Sequence, residues 1–299
     1  PLPNPPATTG ERWRISGNEA TGLGALRGGV RFVGGYPITP ATDVLEWLAP
    51  RLPRLGGSLL QAEDELAAIN MCLGASFGGV PALTATSGPG FSLMAETLGL
   101  AVAAEVPLVV VDVMRGGPST GIPTKSEQTD LNIAAYGLHG DAPHLVLAPT
   151  GIGDCAYTTQ WAVALAEALQ TPAIVLSDQA LGQSRAVIEA PEAAPPQPRR
   201  VVAEPGPDAD YDRYAATDDG VSPMALPGTP HGMYTADGLE HDAGGNPSSN
   251  ADDHRRQLDK RLHKLTGHDY GPDWADVEGD GELAVITWGS ATAAVREAI

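Results

Sequence analysis

A chain of 299 residues with 42% hydrophobic content has enough apolar material for a large core, while 37 acidic against 18 basic residues leave a net charge of -19 and a pI near 4.5. That balance excludes nucleic acid and anionic membrane surfaces as partners, because both need clustered Lys and Arg. No apolar run approaches the roughly 18 residues of a membrane span, and Cys72 and Cys155 lie too far apart for a CxxC pair. A disulfide framework and a metal cluster held by this chain alone are therefore excluded, and a reducing cytoplasmic setting is expected.

Residues 1–12 (PLPNPPATTGER) are Pro-rich and aperiodic, as in a linker. From Trp13 short apolar runs alternate with amphipathic stretches, the pattern of a doubly wound, mainly parallel α/β sheet. Strands are expected near 30–34, 58–61, 82–86, 108–113, 144–147 and 173–176, and helices near 19–26, 40–52, 64–76, 91–104 and 154–169. Together they make one domain over 13–190. Between 191 and 276 proline, glycine, aspartate and asparagine dominate around one helix near 252–265, which reads as an irregular connecting arm. The run ELAVITWGSATAAVREAI then restarts as a strand, a Gly-Ser turn and a helix. A lone βα unit cannot bury its own apolar faces, so 277–299 is expected to begin a second α/β domain, cut short.

Thr39 lies between two prolines in YPITP. Pro40 suits the first helical position, which makes Thr39 the N-cap, serving either as a plain cap or as an anion site at the sheet's C-terminal edge. In AEDELAAINMCLG, a helix beginning near Asp64 puts Glu65 on one face with Ala68, Ile69 and Cys72. A carboxylate heading that apolar stripe is either a desolvated proton-relay group or a partly solvated first-turn acid. Glu63 and Asp64 serve solvent or the helix dipole. Ser87-Gly88-Pro89-Gly90 joins a strand to a helix with small residues that admit another backbone or a cofactor, although it is neither a Walker loop nor the dinucleotide fingerprint. Arg115 ends a buried strand, where its planar fork either clamps a carboxylate or pairs with a neighbouring acid. Gly279-Asp280-Gly281 precedes its expected strand and reads as a surface turn, and the seven histidines show neither nucleophile-base nor zinc spacing. No metal ligand is assigned to this chain.

Taken together, SGNEATGLGAL, GYPITPAT, QAEDELAAIN, TATSGPGFSLM, RGGPSTGIPTKSEQTD and GLEHDAGG resemble the alpha subunit of 2-oxoacid:ferredoxin oxidoreductases of the two-subunit 2-oxoglutarate type. The resemblance runs from about Ile15 to Ile299. It implies a pyrimidine-binding domain of a thiamine diphosphate enzyme followed by a transketolase-C-terminal-like domain. It also implies a beta subunit that supplies the diphosphate-side domain, Mg2+ and a 4Fe-4S cluster. Glu65, Ala68 and Gly74 match the family's Glu, Ala and Gly on the helix that meets the aminopyrimidine, so Glu65 is implied as the catalytic acid on the ring nitrogen. Ser87 and Gly88 are implied on the cofactor side. Thr39 and Arg115 are implied to bind the 1-carboxylate and carbonyl end of the oxoacid, with Thr124 and Lys125 lining the same pocket.

The implied reaction is oxidative decarboxylation of 2-oxoglutarate to succinyl-coenzyme A with reduction of ferredoxin, or its CO2-fixing reverse, in a dimer of alpha-beta heterodimers. The alternatives are a non-redox thiamine diphosphate transferase or lyase half-subunit, specificity for pyruvate or branched oxoacids, and a non-catalytic assembly subunit.

Overall fold

The computed structural model describes residues 10–122, 124–191, 194 and 199–299. The Pro-rich opening expected as a linker lies, through residue 9, outside them, as does Pro123 of the loop beyond Arg115. Strand β1 (Arg12–Ser16) enters helix α1 (Gly17–Gly28) through a capping box. Ser16 Oγ accepts from the Glu19 amide at 3.2 Å, and the Glu19 carboxylate accepts from the Ser16 amide at 2.9 Å. Two amides without intrahelical partners are thereby satisfied. The helix stops at Gly29, whose φ of 101° lies in the left-handed region open to glycine.

The chain then alternates as expected through β2 (Phe32–Gly35), α2 (Thr42–Leu48), β3 (Ser58–Gln61), α3 (Glu65–Phe77), β4 (Ala82–Thr86), α4 (Gly88–Ala103) and β5 (Leu108–Met114). It continues through α5 (Leu131–Tyr136), β6 (Leu145–Leu147), α6 (Ile152–Leu169), β7 (Pro172–Asp178) and α7 (Gln179–Gln183) to β8 (Arg185–Glu189). Six strands form one parallel sheet in the order β3-β2-β4-β5-β7-β6. Strands β4, β5 and β7 are buried along their whole length, as strands covered on both faces must be. Alternation along β5 sends Val109, Val111 and Val113 to the layer of α1, α2 and α6, and Leu108, Val110 and Met114 to the layer of α3, α4 and α5. Truncating a fully buried leucine such as Leu83 in this core costs about 2–5 kcal/mol.

Sequence patterning did not indicate β1 and β8. They pair antiparallel from Arg12↔Glu189 to Ser16↔Arg185 and join the two ends of the domain. Each is short and half exposed.

The arm is irregular, with α8 (Ala251–Thr266) as its helix, and it sinks charged side chains into the domain. Glu105, just beyond α4, is fully buried and accepts from Lys260 Nζ at 2.7 Å and Lys264 Nζ at 2.9 Å. Arg213 donates to the Glu105 carbonyl at 2.9 Å, the Ser222 carbonyl at 3.2 Å and Gln170 Oε1 at 2.8 Å. Arg200 grips Glu167 with two nitrogens, at 2.8 and 3.1 Å, and reaches the Ser76 carbonyl at 2.5 Å. Burial alone pushes the Glu105 carboxyl up, but Lys264, Lys260 and Arg213 together outweigh it and hold the group well below the usual carboxylate range.

The strand expected within ELAVITW does not form: residues 282–288 have no strand partner among the described residues, and Leu283 and Ile286 are exposed. A strand without a neighbour leaves its ladder groups unpaired and is not stable alone. The following turn docks instead. The Gly289 amide donates to the Pro149 carbonyl at 2.8 Å, the Ser290 amide to Asp178 Oδ2 at 2.8 Å, and Gln128 Nε2 to the Trp288 carbonyl at 2.8 Å. Gly289 has φ 62°, and a Cβ there would collide with the Asp178 carboxylate. Helix α9 (Ala291–Ala298) follows as expected.

Candidate functional site

The parallel sheet brings the C-terminal ends of β2, β4, β5 and β7 to one edge, where open α/β sheets place their ligands. Four turns leave that edge: YPITP after β2, Ser87 after β4, Arg115 after β5 and Asp178 at the end of β7.

Thr39 and Arg115 meet there, in a different way from the sequence expectation. Arg115 donates through Nη1 to the Thr39 carbonyl at 2.7 Å and through Nη2 to the Thr120 carbonyl at 2.8 Å. Its Nε is buried without an acceptor, and it makes no ion pair among the described residues. The alternative of pairing with a neighbouring acid is thereby set aside. Thr39 is not an N-cap: α2 begins at Thr42, and Ala41 in the cap position has no side-chain cap bond. Arg115 holds the Thr39 carbonyl, and buried Asn18 donates to the Pro40 carbonyl at 2.9 Å. The chain therefore turns through 38–41 before it becomes helical, across a cis Thr39–Pro40 bond, and the exposed Thr39 hydroxyl makes no hydrogen bond within the described residues.

Glu65 heads α3 as the register required. Asp64 is the N-cap, accepting from the Ala67 amide at 2.7 Å, and Glu63 is exposed. Glu65 is 7% exposed and shares its face with Ala68, Ile69 and Cys72, all fully buried. Its carboxylate turns toward the first turn of α4: a Cβ on Gly90 would lie 2.6 Å from Glu65 Cγ and 2.7 Å from Oε1. It has no hydrogen bond or ion pair within the described residues.

Helix α4 starts at Gly88, so Gly88-Pro89-Gly90 is helix rather than loop. Pro89 fits because the first-turn amides have no intrahelical acceptor. Ser87 occupies the cap position with no side-chain cap bond, and its buried Oγ has no partner. Gly88 packs against Asp130, whose Oδ2 would lie 2.7 Å from an added Cβ.

A cavity of about 670 Å3 opens between Arg115, Gly88, Ser92, Thr120, Glu127 and Asp130. It gathers Arg115 and Gly88 but not Thr39, Glu65, Thr124 or Lys125. Thr124 is half-buried with φ 45°, and the exposed Lys125 returns to Arg115's neighbour through its carbonyl, which accepts from the Gly116 amide at 2.8 Å. A second cavity of about 610 Å3, between α6, Tyr270 and Trp274, holds none of the predicted residues.

The sequence reading missed Asp112, Asp130, Asp178 and Gln128. Asp112 carried a signal, an acid inside the otherwise apolar run VVVDV. It is fully buried, and burial followed by the neighbouring Asp130 raises its carboxyl well above the ordinary range. Cys72 accepts from the Gly34 amide at 3.1 Å, and burial pushes its thiol up to about 12, as for an inert structural cysteine.

The family model for the pyruvate flavodoxin/ferredoxin oxidoreductase, thiamine diphosphate-binding domain matches residues 23–260. The 2-oxoglutarate synthase subunit KorA of Methanothermobacter thermautotrophicus is 39% identical over 292 residues, covering 97% of this chain and 77% of that one. The 2-oxoglutarate oxidoreductase subunit KorA of Mycobacterium tuberculosis is 40% identical over 98% of this chain and 46% of its own length. Among solved structures, the 2-oxoglutarate:ferredoxin oxidoreductase from Magnetococcus marinus, with 2-oxoglutarate, coenzyme A and succinyl-CoA bound, superposes with a TM-score of 0.90 at 44% identity. That match covers 98% of this chain and 52% of the other, so this chain spans about half the length of the latter two relatives.

Proposed function

Since the chain belongs to the 2-oxoacid:ferredoxin oxidoreductase alpha-subunit family, we propose that it is the alpha chain of a 2-oxoglutarate:ferredoxin oxidoreductase. With a beta subunit it converts 2-oxoglutarate and coenzyme A to succinyl-coenzyme A and CO2, passing electrons to ferredoxin, or runs the reverse. The observation that carries this is the 0.90 superposition, over nearly the whole chain, on an oxidoreductase holding 2-oxoglutarate and coenzyme A. In this reading residues 13–190 are the pyrimidine-binding domain, 191–276 the connecting arm and 277–299 the start of the transketolase-C-terminal-like domain. The beta subunit carries Mg2+ and the 4Fe-4S cluster, in a dimer of heterodimers. A cytoplasmic complex belongs to the same reading; no helix among the described residues is long and apolar enough to cross a membrane.

The residues present suit thiamine diphosphate. Glu65 is mostly buried and makes no hydrogen bond or ion pair among the described residues, so its carboxylate is open to a donor, and Gly90 lets it lie against the first turn of α4. When bound, the cofactor supplies the electron sink for decarboxylation of a 2-oxoacid. Glu65 is the residue that would hold the aminopyrimidine side of the cofactor, as a carboxylate able to accept or return a proton there. Ser87 and Gly88 line the cofactor side, where the unpartnered Ser87 hydroxyl is free to donate.

Arg115 retains N–H donors beyond the two given to the Thr39 and Thr120 carbonyls, and these meet the oxoacid's 1-carboxylate. The free Thr39 hydroxyl meets the carbonyl end, and Thr124 and Lys125 complete the pocket when the loop is covered by the beta chain. A neutral donor plus one arginine holds the carboxylate without overstabilising the ground state, since binding that is equal in ground and transition states does not accelerate the reaction.

The test is anaerobic purification of the native complex. Reduction of a viologen dye is then assayed with 2-oxoglutarate, pyruvate and 2-oxoisovalerate, each with and without coenzyme A. Coenzyme A-dependent reduction with 2-oxoglutarate is expected. Preference for pyruvate would replace the substrate, and no reduction in a complex that retains iron and thiamine diphosphate would favour the non-redox thiamine alternative.

A further inference from the structure

Asp112 stands in the central strand of the sheet, between Thr86 of β4 and Leu176 of β7. It shares the strand face of Leu108, Val110 and Met114, the face covered by α4 and α5. It is 0% exposed, and neither of its carboxyl oxygens meets an N–H or hydroxyl donor; the same is true of Asp130 Oδ2. The two side chains are neighbours, and each acts on the other's carboxyl. Two carboxylates offer four acceptor oxygens and no donor, so a hydrogen bond between them requires a proton on one.

We propose that Asp112 and Asp130 share one proton as a carboxylic acid–carboxylate bridge, and that this bridge is a positioning device that clamps the 115–130 loop onto the start of α4. Asp130 ends the loop that begins at Arg115, and its carboxylate rests on Gly88 at the first turn of α4. The bridge thus ties the segment carrying Arg115, Thr120 and Lys125 to the element carrying Ser87 and Gly88, through a buried atom of β5.

Among the described residues neither acid makes an ion pair. From the loop comes Glu127, another acid, and Thr129 donates to Asp130 Oδ1 at 3.2 Å. Arg115 lines the adjoining cavity, but two of its nitrogens are given to carbonyls. Across α4, Glu65 of α3 turns to Gly90, and the strand neighbours Thr86 and Leu176 carry no charge. With no ion pair to either acid, a single proton holds the arrangement. Burial, ahead of the neighbouring carboxylate, raises the Asp112 carboxyl, and burial raises that of Asp130 too, so the proton belongs to the pair. Losing it leaves two adjacent buried carboxylates that repel, and the loop lifts from α4.

The proton bridge stands on this chain alone; its effect on oxoacid affinity rests on the function proposed above. Two readouts on the native complex separate them. In infrared difference spectra of wild type minus Asp112→Asn, a deuterium-sensitive protonated-carboxyl stretching band is expected near neutral pH, and its absence overturns the bridge. In kinetics, the Michaelis constant for 2-oxoglutarate is expected to rise toward alkaline pH in the wild type. That rise should be missing in Asp112→Asn, whose neutral amide still donates to Asp130. Asp112→Ala is expected to raise the constant at neutral pH by about tenfold or more, the effect of losing a hydrogen bond to a charged group. A wild-type pH profile in Asp112→Asn overturns the clamp. Should the complex turn over no 2-oxoglutarate, the infrared comparison still decides the bridge, and only the function falls.

Discussion

The arm and the sheet edge both bury carboxylates, and they treat them in opposite ways. Under the arm, Glu105 is met by Lys260 and Lys264, with Arg213 close by, and every partner sits on the same chain. At the edge, among the described residues, Glu65 has no partner, both oxygens of Asp112 and Oδ2 of Asp130 meet no donor, and Arg115 turns to carbonyls. An ionised group closed in by cations is complete, whereas a buried polar group left open costs stability and persists where something else will meet it. The difference separates the acid that fastens the arm from the acids that await a ligand or a proton.

The sharpest way to break the comparison is to neutralise one acid in each region. Glu65→Gln should slow exchange of the cofactor's C2 proton in the assembled complex by about 10²–10⁴-fold, the span of general acid–base catalysis, while the melting temperature of the chain holds. Unchanged exchange would return Glu65 to a merely buried acid. Glu105→Ala should do the reverse. It takes the carboxylate from two buried lysines, Lys260 and Lys264, and is expected to cost about 3–5 kcal/mol by chemical denaturation, as breaking a buried ion pair does. A cost below about 1 kcal/mol, the level of an exposed pair, would show that water reaches the cluster.

A smaller effect is expected at Arg115. Substitution by alanine should raise the apparent Michaelis constant for the oxoacid about tenfold or more, the loss of a charge-assisted contact, with bound thiamine diphosphate unchanged. A normal constant would confine Arg115 to bracing the Thr39 and Thr120 carbonyls.

Acid and base titration of stability gives the finest distinction, because the signs oppose. The Glu105 carboxyl is held low, so its contribution is present above the unfolded value near pH ~4.3 and is lost as pH falls through its lower folded value. Asp112 is held high. Its contribution is complete below the unfolded value near pH ~3.9 and is lost as pH rises through its raised folded value. Glu105→Gln should flatten the acid limb of stability against pH, and Asp112→Asn the limb above pH ~4. Matching slopes in both variants would erase the contrast.

The doubly wound sheet was legible because its strands are short apolar runs buried on two faces, each followed by a helix with a readable face. Glu65 was legible for the same reason: a helical register fixes which residue heads the apolar stripe. Strands β1 and β8 were not, since each gains its meaning from a partner at the far end of the domain. The YPITP turn was misread because a local rule for Pro40 took no account of Arg115 and Asn18, which hold the neighbouring carbonyls from other elements. The strand expected in ELAVITW failed for want of a neighbour, which no local pattern supplies. Asp112 stood out within its strand, but the acid that shares its proton follows an irregular loop, and no periodicity links the two.

Asp178 joins three segments in one side chain. Its Oδ1 caps α7 by accepting from the Leu181 amide at 2.8 Å, while Oδ2 accepts from Gln128 at 3.1 Å and from the Ser290 amide at 2.8 Å. In mechanical terms this carboxylate is a common anchor. The turn at Gly289, the loop that begins at Arg115 and the start of α7 are thus pinned to one point, and two of these three ties share a single buried oxygen.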